Sequence, residues 1–338
     1  MRIALLAHEK FPDRAKTAVG VLRYGDDEVA AVLDRSRAGD RVADYLSDVP
    51  DAPIVAGMDE LDEPVDALLI GIAPIGGGFD ESWRPDVRAA IESGADVIAG
   101  LHYFLSEDEE FASLAAEHDV ELWDVRKPDE DLDVAAGVAA DVSADVILTV
   151  GTDCSTGKMT ASVEMTRAAR DAGADAAFVP TGQTGIMIEH WGHPIDRVVS
   201  DFAAGAVEDM VVERGDDHEY LFVEGQGSIV HPAYSGVTLS ILHGAMPDRL
   251  VLTHDADRDF VHGYEDFALP DLDAYVDLYE GLARPVHETE VVAGMLNTSA
   301  IESDEVAREA IEEYASAIDA PATDPVRFGP EDVMDAIL

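Results

Sequence analysis

The sequence predicts an α/β protein of two units: a smaller Rossmann-like α/β domain, then a phosphate-loop (P-loop) domain on a mostly parallel, doubly wound sheet. Three observations predict it. The chain has 338 residues, more than one compact domain usually holds. Short apolar runs alternate with helical stretches over most of its length. A glycine-bearing turn with a lysine, Gly151 to Thr160, follows one such run and opens one such helix.

The first unit is expected over residues 1–140. Its strand-like runs are Ile3 to Ala7, Val19 to Arg23, Ala67 to Ile72, Val97 to Leu101 and Glu121 to Val125, each bounded by polar or turn-forming residues. Pro74-Ile75-Gly76-Gly77-Gly78-Phe79 follows a strand and reads either as a flexible connection or as backbone that lets a ligand come close. The acidic, alanine-rich stretch from Asp129 to Val142 joins the two units as helix or linker. The second unit, 141–338, carries the runs Val146 to Val150, Ala176 to Val179, Tyr220 to Val223, Leu250 to Leu252 and Val291 to Leu296. These are continuous rather than alternating, as expected of parallel strands covered on both faces. A helix from Met159 to Ala172 stops at Gly173. The tail from Ser303 to Leu338 reads as acidic, solvated helices.

Composition narrows the function classes. There are 71 acidic and 22 basic residues, for a formal net charge of -49, and the acids are spread along the whole chain. Charge of this size repels itself in dilute buffer and is tolerated where salt shortens the Debye length, so a halophilic cytosol is expected. A polyanion such as nucleic acid is a poor partner for such a surface. No apolar run reaches the roughly 18 residues needed to cross a bilayer, and the N-terminus reads as a first strand, not a signal peptide. The single cysteine, Cys154, allows no intrachain disulfide, which fits a reducing cytoplasm. Only four lysines remain, Lys10, Lys16, Lys127 and Lys158, and Lys158 lies in the glycine-bearing turn.

That turn supplies the candidate cofactor-binding residues Gly151, Thr152, Asp153, Ser155, Thr156, Gly157, Lys158, Met159 and Thr160. Glycines let backbone N–H groups curl around phosphate oxygens, the helix N-terminus adds partial positive charge, and the lysine adds a full one. The turn departs from the common pattern twice. Five residues rather than four separate its glycines, and Met159 stands where a metal-binding hydroxyl is usual, leaving Thr160 or Thr156 to supply it. Cys154, near the helix N-terminus, reads either as a nucleophile or acyl carrier or as a small side chain that fits the loop.

Residues just past the other strands converge on the same crevice. Thr181, Gln183 and Thr184 in one polar loop, with Gln226 and Ser228 in the next, are candidate substrate contacts. Glu224, at a strand end, is the candidate ligand for a phosphate-bound Mg2+, with Thr160. His231 and His243, flanked by glycine-bearing segments, are the catalytic candidates. Glu189-His190-Trp191-Gly192-His193 lacks the helical spacing of a zinc motif and reads as a turn with an aromatic wall.

The turn Gly151 to Thr160, with Val179-Pro180-Thr181-Gly182-Gln183-Thr184-Gly185, Pro194 to Phe202, Val223-Glu224-Gly225-Gln226-Gly227-Ser228 and His231-Pro232-Ala233-Tyr234-Ser235-Gly236, resembles the DgcN family. These are P-loop proteins that include D-glutamate N-acetyltransferases. The likeness is dense from Ala144 to Asp255 and thinner in the first third. It implies acetyl transfer from acetyl-CoA to the amino group of D-glutamate, with the P-loop on the coenzyme's diphosphate. That reaction needs a base to take a proton from the substrate ammonium, with His231 or His243 as candidates, and Arg197 is the candidate partner to a substrate carboxylate. An ATP-Mg2+-dependent ligase similar to dethiobiotin synthetase, which shares the Gly-Thr-Asp opening and the Glu-Gly strand end, is the alternative, followed by a nucleotide-binding module without chemistry. A small-molecule substrate and a homo-oligomer complete the expectation.

Overall fold

The computed structural model describes residues 1–74 and 76–338, so Ile75 of the triple-glycine connection lies outside the described residues. The chain divides into two units, Met1–Pro128 with Ile186–Pro194, and Asp129–Gly185 with Ile195–Leu338. Among the described residues no helix is long and apolar enough to cross a membrane.

In the first unit the elements follow as β1 (Arg2–Leu6), α1 (Lys16–Tyr24), β2 (Glu28–Leu33), β3 (Ile54–Val55), β4 (Ala67–Ile70), α2 (Arg84–Glu92), β5 (Asp96–Ala99), α3 (Glu109–His118) and β6 (Leu122–Asp124). The strands form one sheet in the order β3-β2-β1-β4-β5-β6, parallel throughout. This is the Rossmann order, but the acid after β2, Asp34, is fully buried and accepts hydrogen bonds from the Glu9, Phe11 and Ser36 N–H groups. The carboxylate that a dinucleotide fold offers to a ribose is therefore spent on closing the β1 turn. Val19 to Arg23 is helix, not strand: Ala18, Val21 and Leu22 are buried, the spacing of one helical face. Gly77, at φ +63°, lies under the His102 ring, where a Cβ would fall 2.2 Å from the imidazole. Its close approach is to a protein side chain.

The second unit runs β7 (Asp145–Gly151), α4 (Lys158–Asp171), β8 (Ala176–Val179), the start of α5 (Gln183–Glu189), whose residues from Ile186 on group with the first unit, then α6 (Ser200–Gly215), β9 (Tyr220–Val223), α7 (Ser235–Ala245), β10 (Arg249–Asp255), β11 (Phe260–Val261), β12 (Tyr264–Ala268), α8 (Leu272–Ala283), β13 (Glu290–Asn297), α9 (Asp304–Ile318), β14 (Ala322–Thr323) and α10 (Glu331–Ile337). The main sheet is parallel in the order β14-β13-β10-β7-β9-β8, and β11 and β12 make a small antiparallel hairpin. The chain leaves β7 to build β9 and β8 on one side, then crosses to β10 and beyond on the other. The carboxyl end of β7 is thus the point where strand order reverses, the place where doubly wound sheets bind their ligands.

One face of this sheet is covered by α4 and α10: Ile147, Phe222, Val251 and Met295 from the strands meet Ala161, Met165 and Ala169 of α4 and Val333, Met334 and Ile337 of α10. The C-terminal helices are accordingly part of the fold rather than a solvated tail. Helix α9 buries Ala307, Ile311, Tyr314 and Ile318 along one stripe and leaves its acids outside. The Tyr314 hydroxyl donates to the Leu252 carbonyl at 2.8 Å, and Gly294 of β13 lacks the Cβ that would sit 2.5 Å from the Tyr314 ring.

Candidate active site at the phosphate loop

Strand β7 delivers Gly151 to the switch point, and the chain turns there through two left-handed residues, Ser155 at φ 57° and Gly157 at φ 99°, before α4 begins at Lys158. Gly157 caps the helix without a side chain, so the first N–H groups of α4 remain directed into the turn. Gly151 is needed for space, because a Cβ there would lie 2.8 Å from Lys158 Nζ and 2.9 Å from Thr156 Oγ1. Lys158 arches back over the loop, and its Nζ donates to the Asp153 carbonyl at 2.8 Å.

The loop is braced from three sides. Tyr275 and Tyr279, one turn apart on α8, donate to the Thr152 and Gly151 carbonyls at 2.8 and 2.7 Å, and Ser228 Oγ donates to the Thr152 carbonyl at 3.0 Å. From β10, Thr253 Oγ1 lies 2.7 Å from Thr156 Oγ1, and His254 Nδ1 lies 2.8 Å from Thr152 Oγ1. Asp153 is fully buried: Oδ1 accepts from the Cys154 N–H at 2.7 Å, and Oδ2 accepts from Arg258 Nη1 at 2.8 Å and the His262 N–H at 2.7 Å. A buried acid inside this turn is tolerated because Arg258 neutralises it. The β11–β12 hairpin is tied to the turn through the same carboxylate.

Glu224 follows β9, the neighbour of β7, and is enclosed by residues 181–185, the turn into α5 and its first residues. Its Oε2 accepts from the Thr181 and Gly182 N–H groups, both at 3.1 Å. Gly182 and Gly185 make room for it, since a Cβ at Gly185 would lie 2.8 Å from Oε2. Burial pushes the Glu224 carboxyl up to about 7 and draws the Lys158 ammonium down to about 8. The two groups act on each other electrostatically at the floor of the site.

The sequence candidates separate into two sets. Gly151, Thr152, Asp153, Ser155, Thr156, Gly157, Lys158, Met159 and Thr160 form the turn and the first helical residues after it, with Cys154 half-buried among them. Thr181, Gln226 and Ser228 are internal supports: Thr181 Oγ1 donates to the Glu224 carbonyl at 2.7 Å, and Gln226 Nε2 donates to the Thr181 carbonyl. Gln183 and Thr184 open α5 half-buried, and Arg197 lies exposed in a short 3-10 turn. His231 is buried beside the loop. His243 is not brought there: it sits near the end of α7, which runs back toward the amino edge of the sheet, and its Nε2 bonds the Leu282 carbonyl at 2.9 Å. Sequence reasoning missed Arg258, His262, Tyr275 and Tyr279. Of these only the tyrosines left a signal, their four-residue spacing on one helical face.

A ring nitrogen of His231, the Cys154 sulfur and a carboxylate oxygen of Asp153 lie within 4.8 Å of one another. They do not offer three lone pairs to a cation. Both Asp153 oxygens are hydrogen-bonded and one faces a guanidinium. Burial raises the Cys154 pKa and keeps the thiol protonated. The trio is a neutralised wall beside the phosphate turn.

A P-loop at the switch point of a parallel α/β sheet, in a chain whose first unit is Rossmann-like, defines the class: a two-domain P-loop protein. The chain belongs to the DUF1611 family, whose Rossmann-like N-terminal domain matches residues 35–128 and whose C-terminal P-loop domain matches residues 133–334. It is 35% identical over 268 residues to a D-glutamate N-acetyltransferase of Pseudoalteromonas sp, covering 79% of this chain and 80% of the relative. It is 36% identical over 271 residues to another from Tritonibacter scottomollicae, covering 80% of each. The crystal structure of a DUF1611 family protein from Anabaena variabilis superposes with a TM-score of 0.93 at 36% identity, covering 99% of this chain and 98% of that one.

Proposed function

We propose that this protein is an N-acetyltransferase that moves the acetyl group of acetyl-CoA onto the amino group of D-glutamate. The observation that carries the reading is the kinship, over four-fifths of the chain, with proteins named for that activity. The site supports it, because a turn built to hold a diphosphate suits the ADP portion of coenzyme A without any need for phosphoryl transfer. The loop amides and Lys158 would hold that diphosphate, and the coenzyme supplies the acetyl group as a thioester. The acceptor ammonium loses a proton, its nitrogen bonds to the acetyl carbon, the carbon–sulfur bond breaks and the coenzyme leaves as thiol. One proton is released overall. Glu224, whose carboxyl is raised to about 7 by burial and which acts electrostatically on Lys158, would then lie at the diphosphate end of the coenzyme.

In the ATP-dependent alternative Glu224 would instead hold Mg2+. The two are separated by incubating the protein in high salt with D-glutamate and either acetyl-CoA or ATP-Mg2+, then measuring free thiol and inorganic phosphate. Thiol formed in step with N-acetylglutamate, without phosphate, is expected. Phosphate release with ATP and no thiol from acetyl-CoA would overturn the reading in favour of a ligase. The net charge of -49 extends the proposal to a salt-rich cytoplasm and to small-molecule rather than nucleic-acid partners. A homo-oligomer belongs to the same reading and is checked by light scattering in high salt.

A further inference from the structure

His231 is 1% exposed, and its ring is fixed by its surroundings. It lies tilted by 33° against the Tyr234 ring at 4.6 Å and meets Tyr264 of the hairpin edge-on at 5.2 Å. The Ala233 N–H donates to Nδ1 at 3.1 Å. A nitrogen facing an N–H must present its lone pair, so the proton of the neutral ring sits on Nε2. Nε2 is buried and meets no acceptor in hydrogen-bond geometry, although the His262 backbone lies close enough to the ring to favour its protonated form. A buried donor without an acceptor is destabilising, and this one belongs to a ring that sits against Asp153 and Cys154 of the phosphate turn.

We propose that His231 is a hydrogen-bond donor to an anionic ligand oxygen, through Nε2–H of a neutral imidazole, and not the base of the reaction. The assignment rests on the acetyltransferase reading for the identity of that oxygen. It is either the oxyanion that develops on the acetyl carbonyl during transfer or an oxygen of the coenzyme's phosphates. The ring has no free lone pair with which to accept the ammonium proton, because the only one it has is held by Ala233. The groups around it leave it neutral: burial lowers its pKa, and Lys158 and the His262 ring oppose its protonation, whereas Asp153 and the His262 backbone favour it. A neutral donor gives a hydrogen bond to either oxygen and does not attract the nearby carboxylate as an imidazolium would.

The tautomer is read directly from the imidazole 15N shifts of the unliganded protein, which are expected to report Nε2 protonated and Nδ1 bare. His231→Ala and His231→Gln then divide the sources. For an oxyanion contact, His231→Ala lowers kcat by ~10²–10³ with the Kd for coenzyme A unchanged. For a phosphate contact, His231→Ala raises that Kd about tenfold or more, with kcat retained at saturation. In both cases His231→Gln, which keeps a donor, stays within about tenfold of wild type and has the same pH profile. The proposal is overturned by an Nδ1-protonated ring, by a His231→Ala variant with unchanged kcat and Kd, or by a His231→Gln variant as impaired as His231→Ala that has lost the acid limb of the profile. If the wild type transferred no acetyl group at all, the acetyltransferase reading would fall, while the 15N shifts and the coenzyme A titration would still decide the donor.

Discussion

Lys158 and Glu224 are two ionisable side chains that burial has drawn toward neutrality, the ammonium down to about 8 and the carboxyl up to about 7. A diphosphate arriving at the turn favours the charged lysine, so ligand binding is expected to take up protons near pH 8. The carboxyl carries a stability cost with a definite sign. Between its ordinary value of 4.5 and about 7 the folded protein holds a proton that the unfolded chain has lost, so stability falls as pH rises through that window. Glu224→Gln should therefore melt higher than wild type at pH 8, with the gap closing toward pH 4.5. A gap independent of pH contradicts the burial argument. Arg258→Ala leaves the fully buried Asp153 without its cation and should cost about 3 kcal/mol in chemical denaturation, whereas Arg258→Lys should recover part of it. Lys158 and Glu224 were legible in the sequence because each belongs to a motif at a strand end. Arg258 and His262 were not, since they lie 105 and 109 residues from the aspartate they hold and follow no spacing rule.

At the level of elements, the site depends on how closely β7 and the segment after β9 approach. A Cβ on Gly225 would stand 1.8 Å from the Thr149 carbonyl oxygen, so Gly225→Ala must push the two segments apart. It should destabilise the protein by at least ~1–3 kcal/mol and weaken ligand binding together with it, measured by urea unfolding and titration. Unchanged stability would mean that the strands do not meet as described. The five main strands of the second unit were legible because burial on both faces leaves continuous apolar runs. Strand β2 was harder to see, with two alanines in six residues, and the two-residue strands β3, β11 and β14 are too short to carry any period. The C-terminal helices looked solvated because acids are dense in them, five of the fifteen residues of α9 and three of the seven of α10. What matters is the spacing of Ala307, Ile311, Tyr314 and Ile318, which lines one face.

Over the whole molecule, charge was the property most open to sequence reading, and the division of the chain was less so. Residues Ile186–Pro194 group with the first unit although they lie within the second in sequence, and nothing in their composition announces it. A net charge of -49 makes self-repulsion a global term. Raising salt from about 0.1 M to 1 M shortens the Debye length from about 10 Å to 3 Å and should raise the melting temperature markedly. A melting temperature that is flat or falling with salt contradicts the halophilic reading. The most direct measurement of the central claim is a calorimetric titration of coenzyme A, in high salt, into wild type and into Lys158→Met. If the loop amides and this lysine hold the diphosphate, Lys158→Met keeps the wild-type circular dichroism spectrum and binds about 10–150-fold more weakly, equivalent to about 1.5–3 kcal/mol. Equal affinity in the two proteins would contradict it.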